Sequence, residues 1–384
     1  MLEARQKLVA GEALVAGVLS GTSGDGIDVV LARPRVEGER VVGIEAEAFE
    51  TLPFPESLAL RVRLALDGGL EGVRDLALLH RDLGTAFGQA ARSVAGGAGR
   101  SIDLCASHGL TVYHHDGAEP SGPATLQLGD GDLVAEAAGC PVVSDFRQAD
   151  IAAGGEGAPL SALADGAVFA SAGRPVTILN LGGLANLTWL PESGEPVAFD
   201  TGPAGALLDG LARRLLDRPL DRDGAAAARG QVDEALLERW MDHSFFSQAP
   251  PKSTGRDTFG PGWVEGLLAG APAAPPADLL RTATELVART VAEGRERFLP
   301  EDPGTLLVAG GGVHHAPLMA ALAARSPGPV RSSGEVGVDP DAREALVFAV
   351  LGARALLGEP VTRSQATGAV AGRCLGKLSP GPRP

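Results

Sequence analysis

One pattern limits this chain more than any other. An apolar strand, a glycine turn and a return strand occur twice, about 160 residues apart. The first copy runs Val15 to Leu19, turns through Ser20-Gly21-Thr22-Ser23-Gly24-Asp25-Gly26 and returns over Ile27 to Leu31. The second runs Val176 to Leu181, turns at Gly182-Gly183 and returns over Leu184 to Leu190. Short Val/Ile/Leu runs bounded by glycine read as hairpin strands. The copies differ in sequence but agree in plan, so the 384 residues are expected to form two similarly built α/β lobes. The expected bounds are 1–172 and 173–340 for the lobes, 341–375 for a C-terminal helical region packing back on them, and 376–384 for a Pro/Gly-rich tail without structure.

The intervening elements follow from periodicity. Ser57 to Leu66 and Arg74 to Val94 read as helices, the second with Leu76, Leu79, Leu83 and Phe87 on one face. Leu104–Ser107 and Val142–Ser144 read as short buried strands with polar C-terminal ends, where open α/β sheets place their sites. Ile151 to Leu160 reads as a glycine-rich loop. Leu279, Ala283, Leu286, Val287, Thr290 and Val291 mark a long amphipathic helix, followed by a strand, Thr305–Ala309. A last helix, Asp341 to Leu357, is stopped by Gly358 and Pro360.

Charge and composition exclude several classes. The net charge of −15 argues against a nucleic-acid partner, because phosphate backbones need a basic surface; a nucleotide held by a local site is not excluded. Three cysteines, an odd number with no CxxC pair, argue against a disulfide framework or a cysteine zinc site and fit a reducing cytoplasm. No run approaches the ~20 apolar residues of a membrane span. The first residues have a basic-then-apolar order, but Glu12 interrupts the run, and the segment reads as mature protein.

Three motifs carry chemistry. In Gly21-Thr22-Ser23-Gly24-Asp25-Gly26-Ile27-Asp28, glycines let backbone N–H groups converge and hydroxyls add donors, which suits phosphate oxygens. Asp25 or Asp28 is placed to orient the waters of Mg²⁺. The competing reading is an ordinary Asp-Gly hairpin turn. Asn180-Leu181-Gly182-Gly183-Leu184-Ala185-Asn186 again joins a strand to paired glycines, with Asn180 and Asn186 as hydrogen-bonding groups; a capped tight hairpin is the alternative. Gly310-Gly311-Gly312 follows a buried strand and would let a flat ring approach the backbone; a flexible loop is the alternative. His314 and His315 are adjacent, with no third ligand nearby, and make a poor metal site. The chain has neither a GxxxxGK[ST] loop nor a GxGxxG after a strand, so ATP would have to bind by another architecture.

Taken together, two hairpins and a later glycine run resemble the plan of the actin-like ATPases. The detail resembles one family within them, anhydro-N-acetylmuramic acid kinase. Ser20 to Asp28, Ser107-His108-Gly109, Ser144-Asp145-Phe146-Arg147, Asp150 to Gly155, Gly157-Ala158-Pro159-Leu160, Phe199-Asp200-Thr201-Gly202-Pro203, Pro251 to Arg256, Gly310 to Gly312 and Glu344-Ala345-Leu346 occur in family order over nearly the whole chain. The resemblance implies a two-domain actin-like ATPase (ribonuclease H-like) α/β fold with an interdomain cleft, where the two hairpins clamp phosphates and the glycine run holds adenosine. It implies ATP and Mg²⁺ as cofactors, 1,6-anhydro-N-acetylmuramic acid as substrate, N-acetylmuramic acid 6-phosphate and ADP as products, and a cytoplasmic homodimer. Asp200 matches the family's general base; the other reading of that residue is a turn-initiating Asp. Glu344 matches an acidic residue near the sugar, or else favours a helix N-terminus. Arg147 would hold the lactyl carboxylate by a bidentate pair or form a structural ion pair, and His108 would contact substrate or satisfy its loop.

The chain departs from the family pattern at Gly24, where Leu is usual, at Leu110, Ala149, Glu156, Ala204 and Gly205, and at Asp165, where His is usual. Most of these positions lie beside the expected sugar pocket. The competing functions are a kinase of the same fold for another amino sugar or anhydro-sugar, and a catalytically silent ATP-binding regulator, which would have no need of Asp200.

Overall fold

The computed structural model describes residues 1–21, 23–115, 122–271, 274–362, 364–370 and 372–382. The chain divides into two compact units, Met1–Ala170 with Ala342–Pro384, and Ser171–Asp341. The strands are β1 (Val15–Ser20), β2 (Ile27–Glu37), β3 (Arg40–Leu52), β4 (Leu104–His115), β5 (Ala124–Leu128), β6 (Val142–Ser144), β7 (Val176–Leu181), β8 (Leu184–Leu190), β9 (Val197–Pro203), β10 (Thr305–Ala309), β11 (Val330–Ser332) and β12 (Lys377–Ser379).

The first unit holds a sheet of order β12-β6-β4-β1-β2-β3, with β5 paired to β4. In it β1, β2 and β3 form an antiparallel meander, and β4 and β6 continue in parallel from β1. The second unit repeats this plan. Its β7, β8 and β9 form the meander, and β10 and β11 continue in parallel from β7. This is the ribonuclease H-like order in each unit, as the paired hairpins predict.

Packing explains the order. The helix Val73–Gly97 buries Leu79, Leu83, Phe87 and Val94, an i, i+4 apolar stripe, against the first sheet. Its Gly88 admits the helix Gly131–Ala138, since a Cβ there would stand 2.5 Å from the Val134 carbonyl oxygen. The helix Arg343–Leu357 crosses the same sheet closely enough that a Cβ on Gly17 would strike the Ala345 carbonyl. In the second unit the helix Pro276–Phe298 buries Leu279, Ala283, Leu286 and Val287 against β8 and β9. Truncating a buried Phe or Leu on these faces would cost about 2–5 kcal/mol.

Several elements differ from expectation. β2 runs on to Glu37 and pairs with β3, a strand the sequence did not suggest, because its outward positions are polar. β4 continues past Ser107 to His115: Gly109, at φ 82°, carries the chain through an irregularity and onto β5. The tail expected to lack structure instead supplies β12, which satisfies the open edge of β6 through Leu378 opposite Val143. Among the described residues no helix is long and apolar enough to cross a membrane.

Candidate functional site

In the second unit the register places Ala309, Asn180, Asn186 and Asp200 in one row across β10, β7, β8 and β9. Residues opposite one another in a ladder share a face, so the two asparagines and the carboxylate present together. The row forms at a bulge: Asn186 faces Asp200 while Ala185 faces Gly202, leaving Thr201 as the extra residue. Gly202 takes φ 149° and packs on Phe246, where a Cβ would stand 2.8 Å from the ring. Asp200 is only 7% exposed. Its Oδ2 accepts the Thr254 N–H at 2.8 Å, and its own N–H donates to the Lys252 carbonyl at 3.1 Å. The Oδ1 atom of Asn186 is buried without a hydrogen-bond partner in the protein, which a ligand donor would satisfy.

The Gly182-Gly183 turn does a second job. Its carbonyls accept from the N–H groups of Ala204, Gly205 and Ala206, capping the helix Gly205–Leu216 that follows β9. In the glycine run, Gly310 and Gly312 lie on Leu181, where a Cβ would stand 2.7 Å from its carbonyl and 2.5 Å from its Cβ; Gly311 alone faces open space. The adjacent histidines serve structure. His314 Nε2 lies 3.0 Å from Asp341 Oδ2, and His315 Nδ1 accepts the Leu318 N–H at the start of the helix Ala316–Arg325. Burial holds His315 below the ordinary imidazole range. Among the described residues no cluster of metal-ligand side chains occurs.

In the first unit the corresponding row is Leu19, Asp28 and Thr51. Thr51 Oγ1 donates to Asp28 Oδ1 at 2.6 Å, and Ser23 Oγ donates to Asp25 Oδ1 at 3.0 Å. Gly24 closes the turn by donating to the Gly21 carbonyl. Gly24 takes φ 62°, and Gly26 lies so near β3 that a Cβ would stand 2.9 Å from the Leu52 carbonyl. Gly21 has room around it. Ile27 is buried in the core and Ser20 Oγ, at the strand end, is buried without a protein partner. Thr22 lies outside the described residues.

His108, Arg147 and Phe348 form a second cluster in this unit. The His108 ring stacks on Phe348 with centroids 4.2 Å apart. Arg147 Nε donates to His108 Nε2 at 3.0 Å, and Nη1 donates to the Gly157 carbonyl at 2.7 Å. Burial, reinforced by the Arg147 charge, holds the imidazole well below its usual range, so it stays neutral and accepts. At least two of the five guanidinium N–H donors of Arg147 are thus engaged inside the protein. Asp150, on the same helix Phe146–Ala152, accepts from Gly157 N–H at 2.8 Å and Thr367 Oγ1 at 2.6 Å. Burial raises its pKa above the usual carboxylate range despite both bonds.

Glu344 is half-buried in the first turn of the helix Arg343–Leu357. Its neighbour Arg343 forms an ion pair with Asp165 at 2.6 Å, with side chains 1% and 0% exposed. A buried carboxylate needs such a partner, so the Asp that replaces the family's His is matched within this chain. Two residues of the Pro251 to Arg256 stretch, Lys252 and Thr254, are hydrogen-bond partners of Asp200. Their distance in sequence gave no sign of this.

A protein of two ribonuclease H-like α/β units, each with a glycine turn at the head of its meander, is therefore defined by fold and site. The family model for anhydro-N-acetylmuramic acid kinase matches residues 13–381. Relatives named anhydro-N-acetylmuramic acid kinase include one from Salinibacter ruber, 41% identical over 384 residues with 96% of each chain covered. One from Gloeobacter violaceus is 38% identical, covering 96% of this chain and 98% of that one. Another, from Streptomyces coelicolor, is 39% identical, covering 96% and 94%. The chain belongs to the anhydro-N-acetylmuramic acid kinase family.

Proposed function

We propose that this chain is an ATP-dependent hydrolytic kinase that converts 1,6-anhydro-N-acetylmuramic acid, ATP and water to N-acetylmuramic acid 6-phosphate and ADP. The observation that carries the reading is Asp200: a buried carboxylate at a bulge, oriented by the Thr254 N–H and in line with Asn180 and Asn186. A general base must be held in position before its basicity matters. Asp200 takes a proton from a water as that water bonds to the anomeric carbon. The bond from that carbon to the bridging 6-oxygen breaks, the 6-oxygen bonds to the γ-phosphorus, and ADP leaves with the electron pair. Atoms balance, with one proton released.

Gly21, Thr22, Ser23, Gly24, Asp25, Gly26, Ile27 and Asp28, with Asn180, Gly182, Gly183, Asn186 and Gly310 to Gly312, are the proposed nucleotide-binding residues. The crowded Gly26 and the unpartnered Ser20 hydroxyl fit a turn built for close approach by an oxygen-rich ligand. Asp25, exposed, and Asp28, half-buried, are hard oxygen donors within reach of water and fit Mg²⁺, which keeps several waters. That ion would supply charge neutralisation of the phosphates. Arg147, His108 and Glu344 are the proposed sugar contacts; Arg147 and His108 then act as a unit, the neutral imidazole orienting the guanidinium. A cytoplasmic homodimer belongs to the same proposal.

Isotope incorporation tests the reaction. Turnover of the anhydro-sugar in ¹⁸O water should place label on the anomeric oxygen of rapidly trapped product and none in the transferred phosphate. Preferred turnover of a sugar with a free hydroxyl, with no solvent oxygen gained, would replace this reading with an ordinary sugar kinase.

A further inference from the structure

Lys252 is 6% exposed, an unusual place for an ammonium. Its Nζ donates to the carbonyls of Phe245, at 3.1 Å, and Phe246, at 3.5 Å. Three rings surround it: Phe245 at 4.7 Å, Phe298 at 5.3 Å and Phe199 at 6.0 Å from the ring centroids. Such a cage attracts a cation through the ring quadrupoles. The backbone of the same residue accepts the Asp200 N–H, and two residues on, Thr254 N–H donates to the Asp200 carboxylate. Phe199, one wall of the cage, precedes Asp200 on β9. A single side chain therefore joins the Phe245–Phe246 turn, β9 and the segment that orients the carboxylate.

We propose that Lys252 is a positioning residue for the base: its caged ammonium pins the segment 250–254 against β9 and so keeps the Thr254 N–H on the Asp200 carboxylate. The catalytic consequence rests on the kinase reading above; the positioning itself does not.

The groups that face the ammonium set its pH behaviour. Asp200 approaches from β9, Arg297 from the helix Pro276–Phe298, and His243 packs behind Phe246. Burial lowers the Lys252 pKa to about 8, Asp200 opposes this and Arg297 adds to it. Below that pH the charged form grips both carbonyls and the rings. Above it the neutral amine still keeps N–H groups for both carbonyls. Because burial lowers the pKa only while the side chain is caged, releasing the segment takes up a proton, so the pin tightens as pH rises through about 8.

The test compares Lys252→Met, which fills the cage without charge, Lys252→Arg, which keeps the charge, and the wild type. In the substrate-free protein the Thr254 amide should lose about tenfold in exchange protection in Lys252→Met, the worth of a charge-assisted bond. With the anhydro-sugar, kcat should fall ~10–100-fold while the KM for ATP stays within about twofold, because only the base is displaced. Lys252→Arg should recover most of kcat and, staying charged, abolish the rise of Thr254 protection with pH. Should Lys252→Met fail to fold, the wild type decides: corrected Thr254 protection should rise as pH passes about 8. Unchanged Thr254 exchange, by variant and by pH, overturns the positioning role. A wild type inactive on the anhydro-sugar overturns the kinase reading alone, since amide exchange still reports on Lys252.

Discussion

The two units share a strand order and treat the same row of the sheet differently. Leu19, Asp28 and Thr51 cross the first meander where Asn180, Asn186 and Asp200 cross the second. In the first, the carboxylate sits on the middle strand, half-buried, held by an exposed hydroxyl. In the second, it sits on the outer strand, buried and held by a backbone N–H. The outer strands explain the contrast. β3 is 13 residues long and largely exposed, whereas β9 is 7 residues long and buried from Ala198 to Pro203. Wet carboxylates suit an ion that keeps its waters. A buried, oriented one suits proton transfer. Under the proposed function, one scaffold used twice would separate an ion-facing role from a base role by the burial of one strand.

The largest effect should come from breaking the second row. Asp200→Asn should lower kcat by ~10²–10⁴-fold, the worth of a positioned base, and leave ATP affinity within a few-fold of wild type. Thr51→Val, at the matching position, removes one exposed hydrogen bond and should weaken ATP–Mg²⁺ binding about three- to tenfold. Steady-state kinetics with titration calorimetry reads both. Equal losses of kcat in the two variants would dissolve the distinction between the rows.

How much of this was legible depended on where the signal lay. β6, β7, β8 and β10 have the bounds the sequence suggests, because continuous apolar runs ended by glycine or polar residues leave little choice. β3 escaped notice because Glu45, Glu47 and Glu50 face water and break the apolar pattern. Asp200 stands out through its motif, but what orients its carboxylate is the Thr254 N–H, 54 residues on, and no local pattern announces that pairing. Burial of Lys252 was hidden for the same reason: a lysine in sequence reads as surface until three rings close over it.

The turns offer a finer test. Gly24 takes φ 62° and is packed, since a Cβ would stand 2.4 Å from Leu66 Cδ1. Gly24→Leu, which restores the residue usual in the family, should therefore destabilise the first unit by about 1–3 kcal/mol through strain and overpacking. Leu66→Ala in the same chain should return part of that loss by opening the space. Gly21→Val meets only Ser23 Oγ at 3.7 Å, so it should leave stability within about 0.5 kcal/mol and act on ATP affinity instead. Chemical denaturation of the four proteins separates packing from binding; a Gly24→Leu chain as stable as wild type would place Leu66 elsewhere.

The smallest effect is one of pH, and each unit contributes its own window. His108 in the first unit is held neutral, first by burial and then by the Arg147 charge. Its folded pKa is depressed, so between that value and about 6.5 the unfolded chain binds the extra proton. Stability from this group is complete above about 6.5 and falls as pH drops through the window. Lys252 in the second unit is also depressed, to about 8. Here the unfolded chain binds the extra proton between there and about 10.4, so stability rises with pH across that range. Both slopes have the same sign, on opposite sides of neutrality. The difference in urea midpoint between wild type and His108→Gln, which keeps an acceptor for Arg147, should change below pH 6.5 and stay constant from pH 7 to 9. Lys252→Met should show the reverse. Carboxylates that titrate in acid, Asp150 among them, cancel in these differences. A His108→Gln difference that is flat in acid would mean the imidazole is charged in the folded protein, and the Arg147 bond would then lose its acceptor.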